Sequence, residues 1–500
     1  MKENFETKPV APSRKITVAD IQNESLKFNP KNQEVMNTHI KENDPLESIQ
    51  QEVKPIDFRK EAEIGEKGKI MKKHYIVLVV EAIIRIAGHL KLGICTFQDN
   101  IYAYNNMFWE RVEDERFMSF LGKCAQRMGV SYVDSTYYEN LDSFFKQFRA
   151  TGYFKSVIRK QKGVLINLLN GTFEIGDKVQ KLREFRAEDF LTYQLPFEYS
   201  PDAKCPQFEK YLNRVLPDIA SQYVVAEFIG SAFINGSTLK LEKALMPYGS
   251  GANGKSVLFE IVNALFGVDN VSNYALDNLT DNSGYTRAMF SDKLLNYSSE
   301  VPSNLNPDRF KQMVSGEPME ARHPYGRPFQ ISQYPKIIVN VNELPRVTEH
   351  TEGFFRRLLI IPFEEHISES EQDKELANKI ISTELSGVFN WVLEGLQRLL
   401  ENKNFTYCEK SEKALMKYKL EADNVGMFLD ENGYKADSVN FEFAKRLYPD
   451  YSAFCQINGY KAMSMAKFRS RLESKGIRLQ RINSGDYRVY ISKVDKNLAY

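Results

Sequence analysis

Hydrophobic residues are spread unevenly along this 500-residue chain, and their spacing predicts where the folded part begins. Residues 1 to about 70 are polar and contain few aromatic side chains. A segment of this kind cannot bury enough apolar surface to fold alone, so we expect a disordered tail or linker here. Apolar side chains become frequent with the run Ile76–Ile86. Order is therefore predicted to start near residue 71.

Alternating and helical spacings then predict a succession of strands and helices. The expected elements are a hairpin over 101–109 that turns at Asn105–Asn106, a helix over 115–128, strands over 163–175, two helices over 208–233, an apolar strand over 244–248 and a helical region from 371 to about 420. Near the end of the chain the pattern is helix, helix and hairpin, over 443–455, 464–476 and 487–492. That order is typical of a winged helix.

An eight-residue glycine-rich segment separates the apolar strand at 244–248 from a helical run that starts at Val257. A strand, a glycine-rich loop and a helix in this order can bind a phosphate chain, because the loop amides and the helix N-terminus face the negative charge. Lys255 is expected to reach the β- and γ-phosphates, and Ser256 to ligand Mg²⁺. The alternative is a chance glycine-rich turn before an ordinary helix. The expected ATP contacts are Gly249, Ser250, Gly251, Ala252, Asn253, Gly254, Lys255, Ser256 and Val257.

Polar residues follow the next predicted strands. Glu300 ends the stretch 291–300, where a carboxylate can hold the Mg²⁺ shell or polarise the attacking water. Asn342 ends the stretch 335–342, where an amide can sense the γ-phosphate. Arg356 and Arg357 precede an apolar strand and can present a guanidinium to the nucleotide of a neighbouring subunit. Taken singly, Glu300 also fits a solvated strand end, and the adjacent arginines also fit ordinary surface charge.

These segments together resemble a known family. GSGANGKS, LLNYSSE, FKQMVSGEPMEARHPYG, KIIVNVNELP and FFRRLLIIPF look like the motifs of superfamily 3 helicases, in particular the phage and plasmid primase-helicase branch related to poxvirus primase-helicases. The resemblance covers roughly residues 75–500. It implies an AAA+-like core, a homo-oligomeric ring that is expected to be a hexamer, and 3′ to 5′ movement on DNA.

The resemblance also assigns roles to particular positions. Lys255 and Ser256 match the first phosphate-binding motif, Glu300 the second and Asn342 the sensor. Arg357 matches the arginine finger, with Arg356 as the alternative. The position before Glu300 is Ser299, where related motifs often carry a second acid, so Mg²⁺ is expected to depend more on Ser256 and water. Residues 1–70 are too short and too polar for a primase domain, so primer synthesis is expected from a separate primase or polymerase, if at all.

Two basic regions predict contacts with DNA, although the net charge of the whole chain is only +1. The family's DNA-gripping hairpin matches the segment 311–327, and the candidate contacts there are Lys311, Arg322, His323 and Arg327. Residues 451–500 hold ten Lys or Arg against three Asp or Glu. In this second region Lys467, Arg469 and Arg471 are expected to contact duplex DNA. A basic surface loop and a winged helix that binds protein are the respective alternatives.

The cysteines and the N-terminal sequence indicate the compartment in which the protein works. The five cysteines form no CxxC pair and no metal-ligand spacing with the six histidines, which indicates reduced structural thiols. The N-terminus lacks a signal-like apolar core, and the run 75–87 is too short to span a bilayer. We therefore expect a cytoplasmic protein without a membrane partner.

The prediction as a whole is an α/β protein with an AAA+-like P-loop ATPase core, a mixed N-terminal domain and a C-terminal winged helix. It is expected to be an ATP-dependent replicative helicase of a mobile element, with ATP and Mg²⁺ as cofactors and single-stranded and duplex DNA as partners. Two other functions stay open: a DNA-binding initiator or regulator that uses nucleotide as a switch, and a remodelling or packaging ATPase. The predicted boundaries are 1–70 (tail), 71–200 (mixed domain), 201–240 (helical collar), 241–366 (ATPase core), 367–424 (helical segment) and 425–500 (winged helix).

Overall fold

The chain forms two compact units. The computed structural model describes residues 44–97, 100–153, 163–176, 179–234, 236, 238–290, 292–299, 305–324, 326, 328–331, 334–345, 352–460 and 462–493. The first unit contains the described residues up to 153 together with 186–192, and the second contains the other described residues.

The first unit combines helices with one antiparallel sheet of order β1-β2-β3. Its elements are α1 (Pro45–Glu52), α2 (Phe58–Glu61), α3 (Lys72–His89), β1 (Gly93–Phe97), β2 (Asn100–Tyr104), β3 (Trp109–Val112), α4 (Asp114–Arg127), α5 (Tyr132–Thr136), α6 (Tyr138–Thr151) and a 3-10 turn (Ala187–Asp189). The predicted hairpin and the predicted helix over 115–128 are both present. Asn105 makes the hairpin turn by accepting hydrogen bonds from the amides of Met107 and Phe108 through its side chain.

The prediction of a disordered tail up to residue 70 is wrong for residues 45–61. Leu46, Ile49 and Phe58 are buried in the same core as α3 and α4. The side chain of Asp44 caps α1 by accepting from the amide of Leu46 at 3.0 Å. The segment carries too few apolar residues to fold alone, but it folds because those few pack onto a neighbouring helical core.

The second unit is built around a five-stranded parallel sheet of order β13-β7-β12-β9-β8. The elements before and within it are β4 (Gly163–Leu168), β5 (Gly171–Gly176), β6 (Val179–Arg183), α7 (Pro206–Val215), α8 (Ile219–Gly230), a 3-10 turn (Ser231–Phe233), β7 (Ala244–Tyr248), α9 (Lys255–Phe266), β8 (Val271–Ser272), α10 (Leu276–Leu279), α11 (Tyr285–Phe290), β9 (Leu295–Ser298), α12 (Pro307–Ser315), β10 (Met319–Ala321), β11 (Phe329–Ile331), β12 (Lys336–Val339), α13 (Glu352–Phe355) and β13 (Leu358–Pro362). Buried side chains lie on both faces of the sheet, which explains why its strands are apolar almost throughout. The predicted α/β class is confirmed.

Helices after the sheet pack back onto it. They are α14 (Leu376–Thr383), α15 (Leu385–Asn402) and α16 (Glu409–Ala422), with a 3-10 turn (Glu369–Glu371) before them. Helices α8 and α15 approach closely at Gly395, where an added Cβ would lie 2.6 Å from the Cβ of Ala226. A glycine at this crossing therefore lets the two backbones meet without a side chain between them.

The last part of the second unit has its own core around Phe428, Tyr451 and Phe468. Its elements are α17 (Asn424–Glu431), β14 (Tyr434–Ala436), β15 (Glu442–Phe443), α18 (Ala444–Ile457), α19 (Met465–Ser474), β16 (Leu479–Arg481), β17 (Tyr487–Val489) and β18 (Ile491–Lys493). Two helices followed by a hairpin are present, with β15, β17 and β16 forming one antiparallel sheet. The hairpin is formed by β16 and β17 and not by residues 487–492 as predicted, because β18 pairs with β14 in a separate sheet. In the part of the chain that the structure describes, no helix is both long and apolar enough to cross a bilayer.

Candidate nucleotide-binding site

The glycine-rich loop leaves the carboxyl end of β7 and enters α9 directly. Gly251, Ala252 and Gly254 have positive φ angles of 106°, 48° and 87°. Gly254 must be glycine for a second reason, because an added Cβ would lie 2.6 Å from Val215 Cγ1. The loop sits where ligands bind in open parallel sheets, at the carboxyl edge of the strands and at the N-terminus of a twelve-residue helix.

Lys255 is folded back into this loop and is only 5% exposed. Its Nζ donates to the carbonyl of Gly249 at 2.6 Å and to Asn253 Oδ1 at 3.0 Å. Burial lowers the pKa of Lys255 from its ordinary value, since the charged form loses hydration. In the described part of the chain, the Lys255 ammonium therefore donates its hydrogen bonds to neutral acceptors.

Neighbouring elements hold the loop from two sides. Tyr211 on α7 donates its hydroxyl to the carbonyl of Gly254 at 2.8 Å, and burial raises the pKa of this phenol well above its ordinary value. On the other side, the amide of Ile367 donates to the carbonyl of Ala252 at 2.8 Å. These bonds fix the backbone of the loop before any ligand binds.

Ser256 is exposed in the first turn of α9, directly after the buried lysine. Mg²⁺ prefers oxygen ligands, keeps several waters and is commonly held by one or two protein oxygens together with substrate phosphates. An exposed hydroxyl beside the glycine-rich loop fits that requirement. Among the described residues, no group of three or more His, Cys, Asp or Glu side chains could hold a metal ion by itself.

The predicted catalytic acid Glu300 lies outside the described residues. The strand that leads to it, β9, ends at Ser298, and Ser299 is exposed. The carbonyl of Ser298 accepts from the amide of Asn340 at 2.9 Å, so the ends of β9 and β12 lie side by side.

The structure places Asn340 next to the loop and leaves Asn342 exposed. Asn340 is 7% exposed, and its Nδ2 lies 3.5 Å from the carbonyl oxygen of Lys255. Its Oδ1 accepts from the hydroxyl of Tyr297 at 3.0 Å. Asn340 is thus a candidate site residue that the sequence reasoning did not name. The sequence singled out the segment but not the residue, because both asparagines follow the same apolar run.

The two arginines before β13 differ sharply in environment. Arg357 is 6% exposed, and its Nε donates to Ser315 Oγ at 2.9 Å. It also donates to the carbonyl of Gly353 and lies 3.5 Å from Glu242. The side chain of Arg356 is 61% exposed, with Glu242 at 3.8 Å. Arg357, the preferred finger from sequence, is thus engaged within its own chain, and Arg356 is the more exposed of the two.

The predicted DNA-gripping segment 311–327 contains a helix and a hairpin rather than a hairpin throughout. Lys311 lies on α12 and pairs with Asp308 at 2.8 Å, because the segment has helical spacing up to Ser315. Strands β10 and β11 then form the hairpin, with Met319 opposite Ile331.

The hairpin end carries aromatic and cationic side chains. His323 is exposed and stacks on Phe329, with ring centroids 5.6 Å apart. The guanidinium of Arg322 lies 5.1 Å from the ring centroid of Tyr285, and its buried Nε has no hydrogen-bond partner among the described residues. Arg327 lies outside the described residues.

The basic residues on α19 also separate into two kinds. Lys467 is exposed, and Arg469 is half-buried with its guanidinium 4.1 Å from the ring centroid of Tyr487. Arg471 pairs with Asp423 at 3.4 Å, and Lys475 binds the same carboxylate. Lys467 and Arg469 are therefore available to a ligand, whereas Arg471 is committed to holding α19 against the start of α17.

Comparisons with known proteins agree with the motif resemblance. Residues 69–217 match the family described as "D5 N terminal like", and residues 248–357 match DUF5906, a family of unknown function. The chain is 24% identical over 234 residues to "Putative helicase L207/L206" of Acanthamoeba polyphaga mimivirus, and the match covers 43% of this chain and 23% of that protein. The chain therefore spans about a quarter of the length of this viral relative.

Solved structures give a more distant likeness. An apo structure of the NrS-1 C-terminal region has a TM-score of 0.43 at 13% identity and covers 83% of this chain and 99% of that one. A second apo structure of the same region has a TM-score of 0.45 at 12% identity, with coverages of 81% and 98%. From the sequence matches and the motifs together, the chain is a primase-helicase-like protein of the phage type.

Proposed function

We propose that this chain is an ATP-dependent DNA helicase that works as a ring, with each ATP held between neighbouring subunits. The observation that carries the proposal is the buried ammonium of Lys255 at the start of α9, with only neutral dipoles around it in the described part of the chain. A cation held in this way, at a helix N-terminus and beside a glycine-rich loop, favours a polyphosphate.

Each residue around the loop has its own role in the proposed hydrolysis. Lys255 and the loop amides bind the phosphates and stabilise the charge that develops on transfer. Ser256 and Glu300 would hold Mg²⁺, which supplies neutralising charge to the phosphates when it is bound. Glu300 also polarises the attacking water. We assign the γ-phosphate sensor to Asn340 in place of Asn342, because Asn340 is the amide that lies against the loop.

The arginine pair supports the proposed ring arrangement. A guanidinium that completes the site of a neighbour must be exposed before assembly, and Arg356 meets this condition. Arg357 instead supports the base of the same strand through Ser315 and Gly353. The number of subunits in the ring, expected from the family to be six, stays a prediction.

Two surfaces of the second unit are proposed to contact DNA. The hairpin β10–β11 offers His323 and Arg322 to the single strand, with Phe329 available for stacking on a base. The C-terminal part has the element order of a winged helix, and its helix α19 offers Lys467 and Arg469 to a duplex. Translocation from 3′ to 5′ is part of the proposal, and it rests on the family resemblance.

The net charge of +7 over residues 451–500 favours a second candidate, a DNA-binding initiator that uses nucleotide only as a switch. Glu300→Gln separates the two functions. A motor with this change should still bind ATP but should lose both hydrolysis and strand separation. A pure switch should keep its DNA-dependent function, measured as nucleotide-dependent binding to duplex DNA. Retained hydrolysis in Glu300→Gln would overturn the role given to this carboxylate.

A further inference from the structure

Asn253 makes two hydrogen bonds that join Lys255 to the carboxyl end of β13. Its Oδ1 accepts from Lys255 Nζ at 3.0 Å, and its Nδ2 donates to the carbonyl of Phe363 at 3.2 Å. The side chain is 4% exposed. A carboxamide can accept and donate at once, whereas a carboxylate only accepts and an ammonium only donates. The position therefore needs the chemistry of an amide.

The bond to Phe363 fixes where the acceptor of Asn253 points. Phe363 follows β13 directly, and its amide donates to the carbonyl of Tyr248 at 2.6 Å, so it continues the sheet beyond Pro362. The acceptor for the lysine is consequently attached to the rigid sheet rather than to the loop alone. A flexible loop residue with no such anchor could rotate away with the lysine.

We propose that Asn253 is a positioning residue that sets the place of the Lys255 ammonium through its anchor on Phe363. This inference rests on the proposed function, because it assumes that Lys255 binds the phosphates of ATP. When ATP enters, the ammonium exchanges the Gly249 carbonyl for phosphate oxygens and keeps its hydrogen bond to Asn253. Asn253 stays bound to Phe363, so the lysine returns to the same place after the product leaves.

The positioning role predicts that Asn253 acts on ATP only through Lys255. A double-mutant cycle tests this directly. ATP·Mg²⁺ affinity is measured by calorimetry on the full chain for the wild type, Asn253→Ala, Lys255→Met and the double variant. We expect Asn253→Ala to weaken binding about tenfold when Lys255 is present, the effect of losing a hydrogen bond to a charged group. In the Lys255→Met background the same change should alter binding by less than about twofold.

A purely structural role gives a different result. If Asn253 only braces the loop through Phe363, Asn253→Ala weakens binding equally in both backgrounds, and the positioning proposal is wrong. Asn263→Ala serves as the matched control, because its amide bonds to the carbonyl of Phe259 at 2.7 Å on α9, outside the loop. It should leave ATP affinity unchanged.

The design separates this inference from the proposed function. If the wild type does not bind ATP, the proposed function is overturned. If the wild type binds ATP and Lys255→Met weakens that binding, but the effects of Asn253→Ala and Lys255→Met are additive, only the positioning role is overturned. If Asn253→Ala does not fold, the same cycle is made with Asn253→Ser, which keeps a polar group in the loop but is too short to bridge Lys255 and Phe363. This variant should weaken ATP binding when Lys255 is present and leave it nearly unchanged in the Lys255→Met background, and equal losses in the two backgrounds would again overturn the positioning role.

Discussion

Tyr211 donates its hydroxyl to the carbonyl oxygen of Gly254 at 2.8 Å, and this bond joins α7 to the last residue of the glycine-rich loop. The same carbonyl accepts from the amide of Leu258 at 3.2 Å in the first turn of α9. Tyr211 therefore fixes the point where the loop becomes a helix and where the loop amides take their direction.

Tyr211→Phe should weaken ATP binding several-fold and lower the free energy of unfolding by about 1 kcal/mol, the net value of one buried hydrogen bond. Gly254 keeps its bond to Leu258, so the carbonyl is not left without a donor. Tyr193→Phe is the matched control, because the hydroxyl of Tyr193 donates to the carbonyl of Leu165 at 2.9 Å away from the loop. Calorimetry and thermal unfolding should show a similar loss of stability in the control without a change in ATP affinity.

Arg356→Ala and Arg357→Ala should fail in different ways. Arg356→Ala should fold normally and bind ATP but lose about a thousandfold in hydrolysis, the usual cost of removing an arginine finger. Arg357→Ala should lower the free energy of unfolding by about 2–3 kcal/mol, because it removes hydrogen bonds from a buried charged group to Ser315 and Gly353. Urea unfolding and steady-state hydrolysis measure the two effects. Normal hydrolysis by Arg356→Ala would exclude this residue as the finger.

Asn340→Ala should lower the turnover of ATP about a hundredfold while Asn342→Ala leaves it nearly unchanged, because only Asn340 lies against the loop. Asn340→Ala also leaves the buried hydroxyl of Tyr297 without its acceptor. Tyr297→Phe removes the same hydrogen bond but keeps the amide, so it should retain turnover. Equal losses in Asn340→Ala and Asn342→Ala would contradict the revised sensor.

Lys467→Ala should weaken duplex binding at low salt and reduce the slope of log affinity against log salt by about 0.9, the value for one phosphate contact. Arg471→Ala should instead lower the melting temperature, because Arg471 pairs with the partly buried Asp423 at 3.4 Å. Filter binding over a salt series and thermal melting distinguish the two residues. An unchanged salt slope in Lys467→Ala would remove this residue from the DNA surface.

Local pattern was enough to predict the loop and the strands around it. The eight residues from Gly249 to Ser256 combine the glycines, the lysine and the hydroxyl that a phosphate site needs, and they lie between an apolar strand and a helix as expected. The buried strands of the parallel sheet are recognisable because both of their faces are covered.

Contacts between distant residues could not be predicted from local pattern. Arg356 and Arg357 are neighbours in sequence, and only the positions of Glu242 and Ser315 decide which guanidinium is buried. Tyr211 precedes Gly254 by many residues, and nothing in its own segment indicates that contact. In an unbroken strand, Asn340 and Asn342 would point to the same side. Because β12 ends at Val339, the two side chains lie in different environments, and this end of the strand had to be known to tell them apart.

The most direct test of the central claim is ATP-driven strand separation on a 3′-tailed duplex by the wild type and by Lys255→Ala. The account predicts that the wild type separates the strands only with hydrolysable ATP and that Lys255→Ala, folded to the same melting temperature, separates none. Strand separation by Lys255→Ala at the rate of the wild type, or none by a wild type that binds both ATP and DNA, would contradict it.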